Sequence, residues 1–375
     1  MLLTNRLTDL EISEVIDSAD FLALEIEWNA LVEATNNEPF YRHEFIRIWL
    51  HNFAPDAKLR ILTARNSSGR LVAVLPIMER FEFLGGFPTR QLVSTSNSHS
   101  CRFDVIALNA ETAGIAFFGY LAASKNWDVI TIKDVPNGGN AWHLIESAKR
   151  AGFLVGDWES QRSPYIIFPP SFDEVLKGLS KNFRRYLRRN SRNLKNHGVV
   201  TIECVTDATY LDKYLSKAFS IEQSGWKGRN GTAIAQNQHT YNFYRELAHV
   251  AAEHNYLSLN FLNLNGRAIA FHYGLTNSEV YFTPKVGYDE AFKEFSPSYL
   301  LDCEVIKDCI SRKLRAYDLL GDIFGIHNEW KQKWSKVTCP HKWLFIFRDS
   351  FYGRLLWKTK FSWIPATKRF ISSWS

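Results

Sequence analysis

The sequence predicts an α/β (α+β) fold of two domains, each a mixed sheet flanked by helices. Three observations carry that reading. Residues 256–322 run as three β-patterned segments, one helix and a closing strand. Residues 58–157 run as a hairpin followed by alternating helix and strand patterns. The chain, at 375 residues, is long enough to give each half its own core.

The first of these stretches organises the rest. LSLNFLNL, RAIAFHYGL and EVYFTPKVGY are joined by Asn265-Gly266 and by a Thr-Asn-Ser turn. Asn-Gly takes the positive φ angles that a two-residue hairpin needs, so the three runs read as a meander. A helix is expected to open at Ser296-Pro297, with Ser capping free amides and Pro at a position whose missing N–H costs nothing. Asp302 and Glu304 early, and Arg312 and Lys313 late, match the macrodipole. The strand AYDLL then completes a crossover, whose two strands should be parallel. This β-β-β-α-β unit places unpaired helix-start amides beside the sheet, where an anion such as a diphosphate can sit. Read alone, Ser296-Pro297 is also an ordinary helix cap.

Composition sets the outer bounds. Hydrophobic content of 46% and aromatic content of 14% require a folded chain. A net charge of +6 suits an anionic ligand or surface without requiring nucleic acid, and no DNA partner is expected. Cys101, Cys204, Cys303, Cys309 and Cys339 form no CxxC pair and read as reduced thiols of a cytosolic protein. MLLTNRLTDLEISEV carries acids where an export signal needs an apolar run, and no window approaches the ~20 apolar residues of a membrane span.

In chain order, an entry strand and loop precede two helical patterns in WNALVEATNNEPFYRHEFIRIWLHNF, broken at Asn36-Asn37 and Pro39. KLRILTARNSSGRLVAVLPIMER is a hairpin turning at Asn66–Gly69. LGGFPTRQLVSTSNSHSCRFD reads as a loop. Helices are expected from about Thr112 to Lys125 and from about Ala141 to Arg150, with the strands WDVITIKDV and GFLVGDW between and after them. This half looks like a weaker copy of the second, without a repeat of identical residues.

YIIF is a short strand, and Pro169-Pro170 marks the boundary, giving domains over 1–168 and 169–342 and a tail over 343–375. Ser171 with Glu174 is a capping-box signature for the next helix. SKNFRRYLRRNSRNLKNHG then carries Lys181, Arg184, Arg185, Arg188, Arg189, Arg192 and Lys195 with no acid. Arg184, Arg188 and Arg192 share one line of a helix. The stripe is either a solvated face or a contact for phosphate or an acidic polymer, for which Arg is favoured by its bidentate geometry.

EQSGWKGRNGTAI (222–234), the helix HTYNFYRELAHVAAEHN, the meander, KVGYDEAFKEFSPSYLL (285–301), YDLLGD (317–322) and EWKQKW (329–334) together resemble GNAT-type acyltransferases of the CelD/BcsL family, named for cellulose biosynthesis. The resemblance spans roughly residues 20–340. It implies tandem GNAT-like (acyl-CoA N-acyltransferase) domains, similar to Fem-type transferases, with the acyl donor held by the second. The family binds the CoA diphosphate at the start of the helix after the fourth strand. That start corresponds here to Ser296, Pro297, Ser298 and Tyr299; apart from the resemblance, Lys285 could hold donor phosphates or an acidic acceptor, and Arg184 of the cationic stripe is a candidate phosphate contact for the donor. FSPSYLL lacks the glycines of the usual Q/R-x-x-G-x-G/A loop, which ease close approach to phosphate.

Acyl transfer to an amine needs the amine deprotonated, the reactants held together and the oxyanion stabilised. Asp318, at a strand end beside the helix, is one candidate base, or else a structural acceptor; Glu222 is the rival. Lys227 could hold donor phosphates or an acidic acceptor. Trp226 forms a sugar-stacking wall or a piece of core, and Tyr288 and Lys331 complete the acceptor contacts. Trp330 and Lys331 either close over the site or lie on an exposed helix. His272 reads as a packed residue. There is no HExxH, GxSxG, P-loop or Cys/His cluster, so no metal is expected.

After Trp343 the chain interleaves aromatic rings with Arg and Lys. This suits peripheral contact with the inner face of a membrane, or a last strand and helix packed across both domains. The expected activity is N-acyl transfer from acyl-CoA (acetyl-CoA or longer) or acyl carrier protein to the amine of a cell-envelope or exopolysaccharide precursor in the cytoplasm. The alternatives are Fem-type transfer from aminoacyl-tRNA and a non-catalytic module that binds polysaccharide or membrane.

Overall fold

The computed structural model describes residues 3–4, 9–124, 126–323 and 329–363. The chain forms two compact units, Met1–Gln161 with Pro340–Ser375, and Arg162–Cys339.

The first unit opens with β1 (Leu3–Thr4) and β2 (Glu11–Val15), then α1 (Ser18–Ala23), capped by the Asp17 carboxylate. Next come α2 (Glu25–Glu33), a 3-10 turn at Pro39–Tyr41 and α3 (His43–Phe53), divided at the expected Asn and Pro residues. β3 (Lys58–Leu59), β4 (Ile61–Arg65) and β5 (Leu71–Leu75) include the predicted hairpin, with Gly69 at φ 79° in its turn. β6 (Ile77–Leu84) and β7 (Phe87–Ser94) form a second hairpin, of which β7 falls in the stretch that reads as loop from sequence. Gly85 and Gly86, at φ 59° and 90°, make its turn, and the alternation of Thr89, Gln91 and Val93 against Arg90 was hidden by the surrounding Gly, Pro and Ser. After β8 (Ile106–Ala107), α4 (Ala110–Ala123) starts at an Asn109 cap and leads to β9 (Val129–Pro136). β7 and β9 are parallel, with α4 as the connection. α5 (Trp142–Arg150) packs on α4, and the core gathers Phe117, Leu121, Trp127, Ile130, Leu144 and Leu344 among its buried residues.

β10 (Leu154–Ile167) is one continuous strand where two were expected. The second unit continues with α6 (Phe172–Gly178), whose first turn is capped by Ser171 as anticipated, and α7 (Lys181–Asn196). β11 (Val200–Val205), α8 (Leu211–Ser224), the single turn α9 (Trp226–Arg229) and α10 (Gln238–Glu253) follow. The meander is β12 (Leu257–Leu264), β13 (Arg267–Thr276) and β14 (Val280–Tyr288), antiparallel throughout. Asn265 and Gly266 have φ 50° and 79°, the values that the two-residue turn demands. A 3-10 segment (Glu290–Phe295) leads to α11 (Pro297–Ser311) and then β15 (Ala316–Asp318), parallel to β14. The far side of β15 pairs with Tyr165–Ile167 of β10. α7 packs Phe183, Leu187 and Leu194 into a core shared with Leu301, Ile306 and Tyr317, which leaves its cationic face outward.

β16 (Asp322–Ile323) and α12 (Glu329–Trp334) complete the second unit; the Asp322 side chain lies outside the described residues. The chain then enters β17 (Thr338–Phe347), which pairs with β9, and α13 (Phe351–Lys358). In the first unit Trp357 donates to the Val155 carbonyl at 2.9 Å, while the Lys360 ammonium lies 3.7 Å from the Trp158 ring centroid. The basic aromatic stretch thus contains a strand and a helix, with several of its rings folded against that unit's own residues. Its part beyond Trp363, including Lys368, Arg369, Phe370 and Trp374, lies outside the described residues. Among the described residues no helix is long and apolar enough to cross a membrane.

Candidate functional site

The sheet of the second unit opens where β14 leaves β15. The two pair at Val280 with Ala316, Tyr281 with Tyr317 and Phe282 with Asp318. β15 ends there, whereas β14 continues to Tyr288 alongside β13. Asp318 therefore stands at the point of divergence. It is 8% exposed, and its Oδ1 accepts from the Leu320 amide at 2.8 Å.

α11 begins at Pro297, as the sequence predicted, but Ser296 does not cap it. Ser296 is held at φ 52°, ψ 56°, and its side chain accepts no hydrogen bond from the first-turn amides. Its hydroxyl instead meets the Tyr186 hydroxyl of α7. The expected early acids are also absent from the first turn, because Asp302 lies one turn further in and is fully buried. The consequence is chemical: the N-terminal dipole of a 15-residue helix is left without a capping side chain of its own.

Three phenols stand around this helix start. Tyr299 packs edge-on against Phe183 at 5.1 Å and lies 6.2 Å from Tyr186. Burial pushes its hydroxyl well above the ordinary tyrosine range, and the neighbouring Asp302, Tyr186 and Tyr288 add to the rise. Burial, followed by Glu290, also raises Tyr288. Tyr288 and Tyr299 therefore remain protonated donors near neutral pH.

Beneath them, Asp302 accepts from Tyr317 Oη and Trp334 Nε1, each at 2.9 Å, and burial lifts its carboxyl to about 7. His272 Nε2 is 3.5 Å from Asp302, and desolvation lowers this imidazole to about 3, so it stays neutral. The sequence reading had His272 as a packed residue, and it is fully buried.

The WKG motif makes a separate cluster. Glu222, 3% exposed, accepts from Lys227 Nζ at 2.6 Å and from the Ile234 amide at 2.8 Å, using both of its oxygens. Lys227 also donates to the Val286 carbonyl of β14 at 3.1 Å. Arg229 forms a two-pronged pair with Glu290 at 2.6 and 2.8 Å. A Cβ at Gly228 would lie 1.8 Å from the Gln223 carbonyl oxygen, so the turn excludes any larger residue. Trp226 is 47% exposed, which sets aside the reading of it as core and leaves a ring available as a wall.

The remaining candidates are dispersed. Lys331 donates to the carbonyls of Leu320 and Gly321 at 2.8 and 2.7 Å, fastening the loop that follows Asp318. Lys285 lies 5.2 Å from the Tyr244 ring centroid. Arg184 reaches the Lys177 carbonyl at 3.4 Å. The structure thus groups Ser296, Tyr299 and Tyr288 at the helix start and Glu222 with Lys227 on α8 and α9. Tyr186 and Asp302 were missed as site residues. The one sits inside a stripe dominated by Arg, and the other reads from sequence as an acid that matches the helix macrodipole. Among the described residues no group of three or more His, Cys, Asp or Glu side chains is placed to hold a metal.

Residues 181–332 match the sequence model of the acetyltransferase (GNAT) domain. No curated protein sequence matches the chain. Among solved structures, FemX superposes with a TM-score of 0.55 at 12% identity, covering 82% of this chain and 93% of its own. L-PGS from Bacillus licheniformis gives 0.53 at 12%, covering 93% and 98%. The C-terminal domain of a protein described as a lysylphosphatidylglycerol synthetase, from Agrobacterium fabrum, gives 0.53 at 10%, covering 87% and 94%. At these identities the likeness is one of fold. The second unit, with its diverging parallel strands and uncapped helix between them, is GNAT-like in fold, and its residues 181–332 are similar in sequence to the acetyltransferase (GNAT) domain.

Proposed function

We propose that the second unit transfers an acyl group from acyl-CoA, or from acyl carrier protein, to an amine of a cell-envelope or exopolysaccharide precursor in the cytoplasm. The uncapped start of α11 beside the divergence of β14 and β15 is the observation that carries this reading. An acyl donor supplies an activated carboxylic group and an anionic diphosphate. The Ser298 and Tyr299 end of the helix offers its dipole to the diphosphate, and the Ser296 hydroxyl, which meets Tyr186, does not cap it. The half-buried phenols of Tyr288 and Tyr299 are donors for a developing negative charge. Asp318 is the candidate to take the amine proton, because it stands where β14 and β15 diverge beside the start of α11, whereas Glu222 belongs to the separate cluster with Lys227 and Ile234. Lys227 and Lys331 support the walls in this scheme, and Trp226 faces the acceptor.

Transfer from an aminoacyl-tRNA is the second reading. It is favoured by α7, where Arg184, Arg185, Arg188, Arg189 and Arg192 pair with no acid among the described residues, and by the fold likeness to FemX. The test is thermal shift of the whole protein against acetyl-, medium-chain and long-chain acyl-CoA, alongside an activity assay with and without RNase. Stabilisation by one acyl-CoA supports the first reading, since a ligand that binds only the native state must raise stability. No stabilisation together with RNase-sensitive transfer supports the second; neither result leaves a non-catalytic binding module.

A further inference from the structure

The first unit holds a pocket of about 310 Å³, at the small end of the ~300–1,000 Å³ usual for small-molecule sites. Its apolar walls include Trp49 and Phe53 of α3 and Trp343 of β17. Its polar lining includes Ser94, Ser96, Asn97 and Ser98. Two cations and two acids complete it, Arg80 with Glu82 on β6, and Lys133 with Asp134 on β9.

The chemistry of this lining is specific. Arg80 and Glu82 stand 3.9 Å apart and offset each other. Asp134 Oδ1 accepts from Ser160 Oγ at 2.8 Å and from Trp343 Nε1 at 3.0 Å, which fixes the Trp343 ring. Lys133 Nζ lies 4.9 Å from the centroid of that same ring, and no acid is within ion-pair distance of it among the described residues. The Ser94 and Ser96 hydroxyls are 2.8 Å apart, and each can donate or accept. Trp49 is 2% exposed, yet its indole N–H has no acceptor among the described residues. A buried donor without an acceptor is costly, and a ligand oxygen would relieve it.

We propose that this pocket binds a neutral sugar unit, of one or two rings. The lining charges sum to zero, so a strongly anionic or cationic ligand would meet a group of its own sign. A purely apolar ligand would strand the serines, Asn97 and the Trp49 N–H away from water. A sugar ring has apolar C–H faces for the indole and phenyl walls, and hydroxyls that both donate and accept. The site is argued from the first unit alone and does not depend on the acyl-transfer reading.

The experiment is saturation-transfer NMR and thermal shift on the full chain with maltose and cellobiose as neutral probes, glucuronate and glucosamine as charged analogues, and indole as the apolar control, each at roughly 10 mM. At least one neutral disaccharide is expected to bind, threefold or more tighter than the charged sugars. Trp49→Phe, which keeps a ring and removes the N–H, and Lys133→Met, which keeps the stem, should each weaken it at least fivefold. The proposal is overturned if no neutral sugar binds, if only the charged sugars or indole bind, or if both variants bind unchanged. Lys133→Met keeps the test decisive should Trp49→Phe fail to fold.

Discussion

Lys227 pairs with the buried Glu222 at 2.6 Å and its ammonium also reaches the Val286 carbonyl, so one side chain ties α8 and α9 to the stretch of β14 that has left β15. The pair is a tether at the wall of the opening. Removing the ammonium leaves an uncompensated buried carboxylate, which in general costs about 3–5 kcal/mol. Lys227 is 23% exposed, so Lys227→Met is expected near the lower end, about 3 kcal/mol, read as a lowered urea midpoint with unchanged slope. Full stability with lost turnover would instead assign Lys227 to substrate.

Much of the fold was legible because it is written in local periodicity. The Asn265-Gly266 turn, the three strands of the meander, the Pro297 helix start and the parallel return to β15 all follow from spacings of two and from turn chemistry. The site was less legible, since its decisive contacts join residues far apart in sequence. Ser296 reads as a cap from its neighbours alone; that its hydroxyl goes to Tyr186, 110 residues earlier, depends on how α7 packs. The same holds for Lys227 and Val286, 59 residues apart, whose contact no periodicity encodes. β7 was missed for a local reason, because Gly85, Gly86 and Pro88 outweighed a short alternation.

His272 gives the second unit a defined response to acid. Its imidazole is lowered to about 3 by burial, while the unfolded chain protonates it near 6.5. Below 6.5 the unfolded state binds the extra proton, so the contribution of neutral His272 to stability is full above that pH and is lost as pH falls toward 3. His272→Phe removes this proton uptake. Urea unfolding at pH 8 and pH 5 should show the wild type losing, relative to the variant, up to about 1.4 kcal/mol per pH unit below 6.5. Asp302 is present in both chains, but its 3.5 Å approach to His272 couples the two, so the comparison is read as a direction. An equal pH response in the two proteins would show that His272 titrates normally when folded.

The uncapped start of α11 makes opposite predictions for stability and for ligand binding. An acid in a first turn interacts favourably with the helix dipole by about 0.3–1 kcal/mol. Ser298→Asp should therefore leave the melting temperature unchanged or slightly raised. If a diphosphate sits at that helix end, the same carboxylate repels it, and acyl-CoA affinity by calorimetry should drop about tenfold or more. Unchanged affinity would place the donor elsewhere.

Asp318 separates a proton-transfer role from an architectural one. Its Oδ1 holds the Leu320 amide at the strand end, and Asn can keep that acceptor with nearly the same shape. Asp318→Asn is thus expected to fold normally and to bind acyl-CoA as tightly as the wild type. What it loses is the basic oxygen. General-base catalysis is worth typically ~10²–10⁴ in rate, so kcat with a saturating amine acceptor should fall by about a hundredfold or more. Raising the pH should recover part of that loss, as the fraction of free amine grows and the base becomes less necessary. A variant with wild-type kcat at neutral pH would make Asp318 solely the clasp of the Leu319–Gly321 loop, and the deprotonating group would then have to be sought among water and the remaining side chains at the mouth.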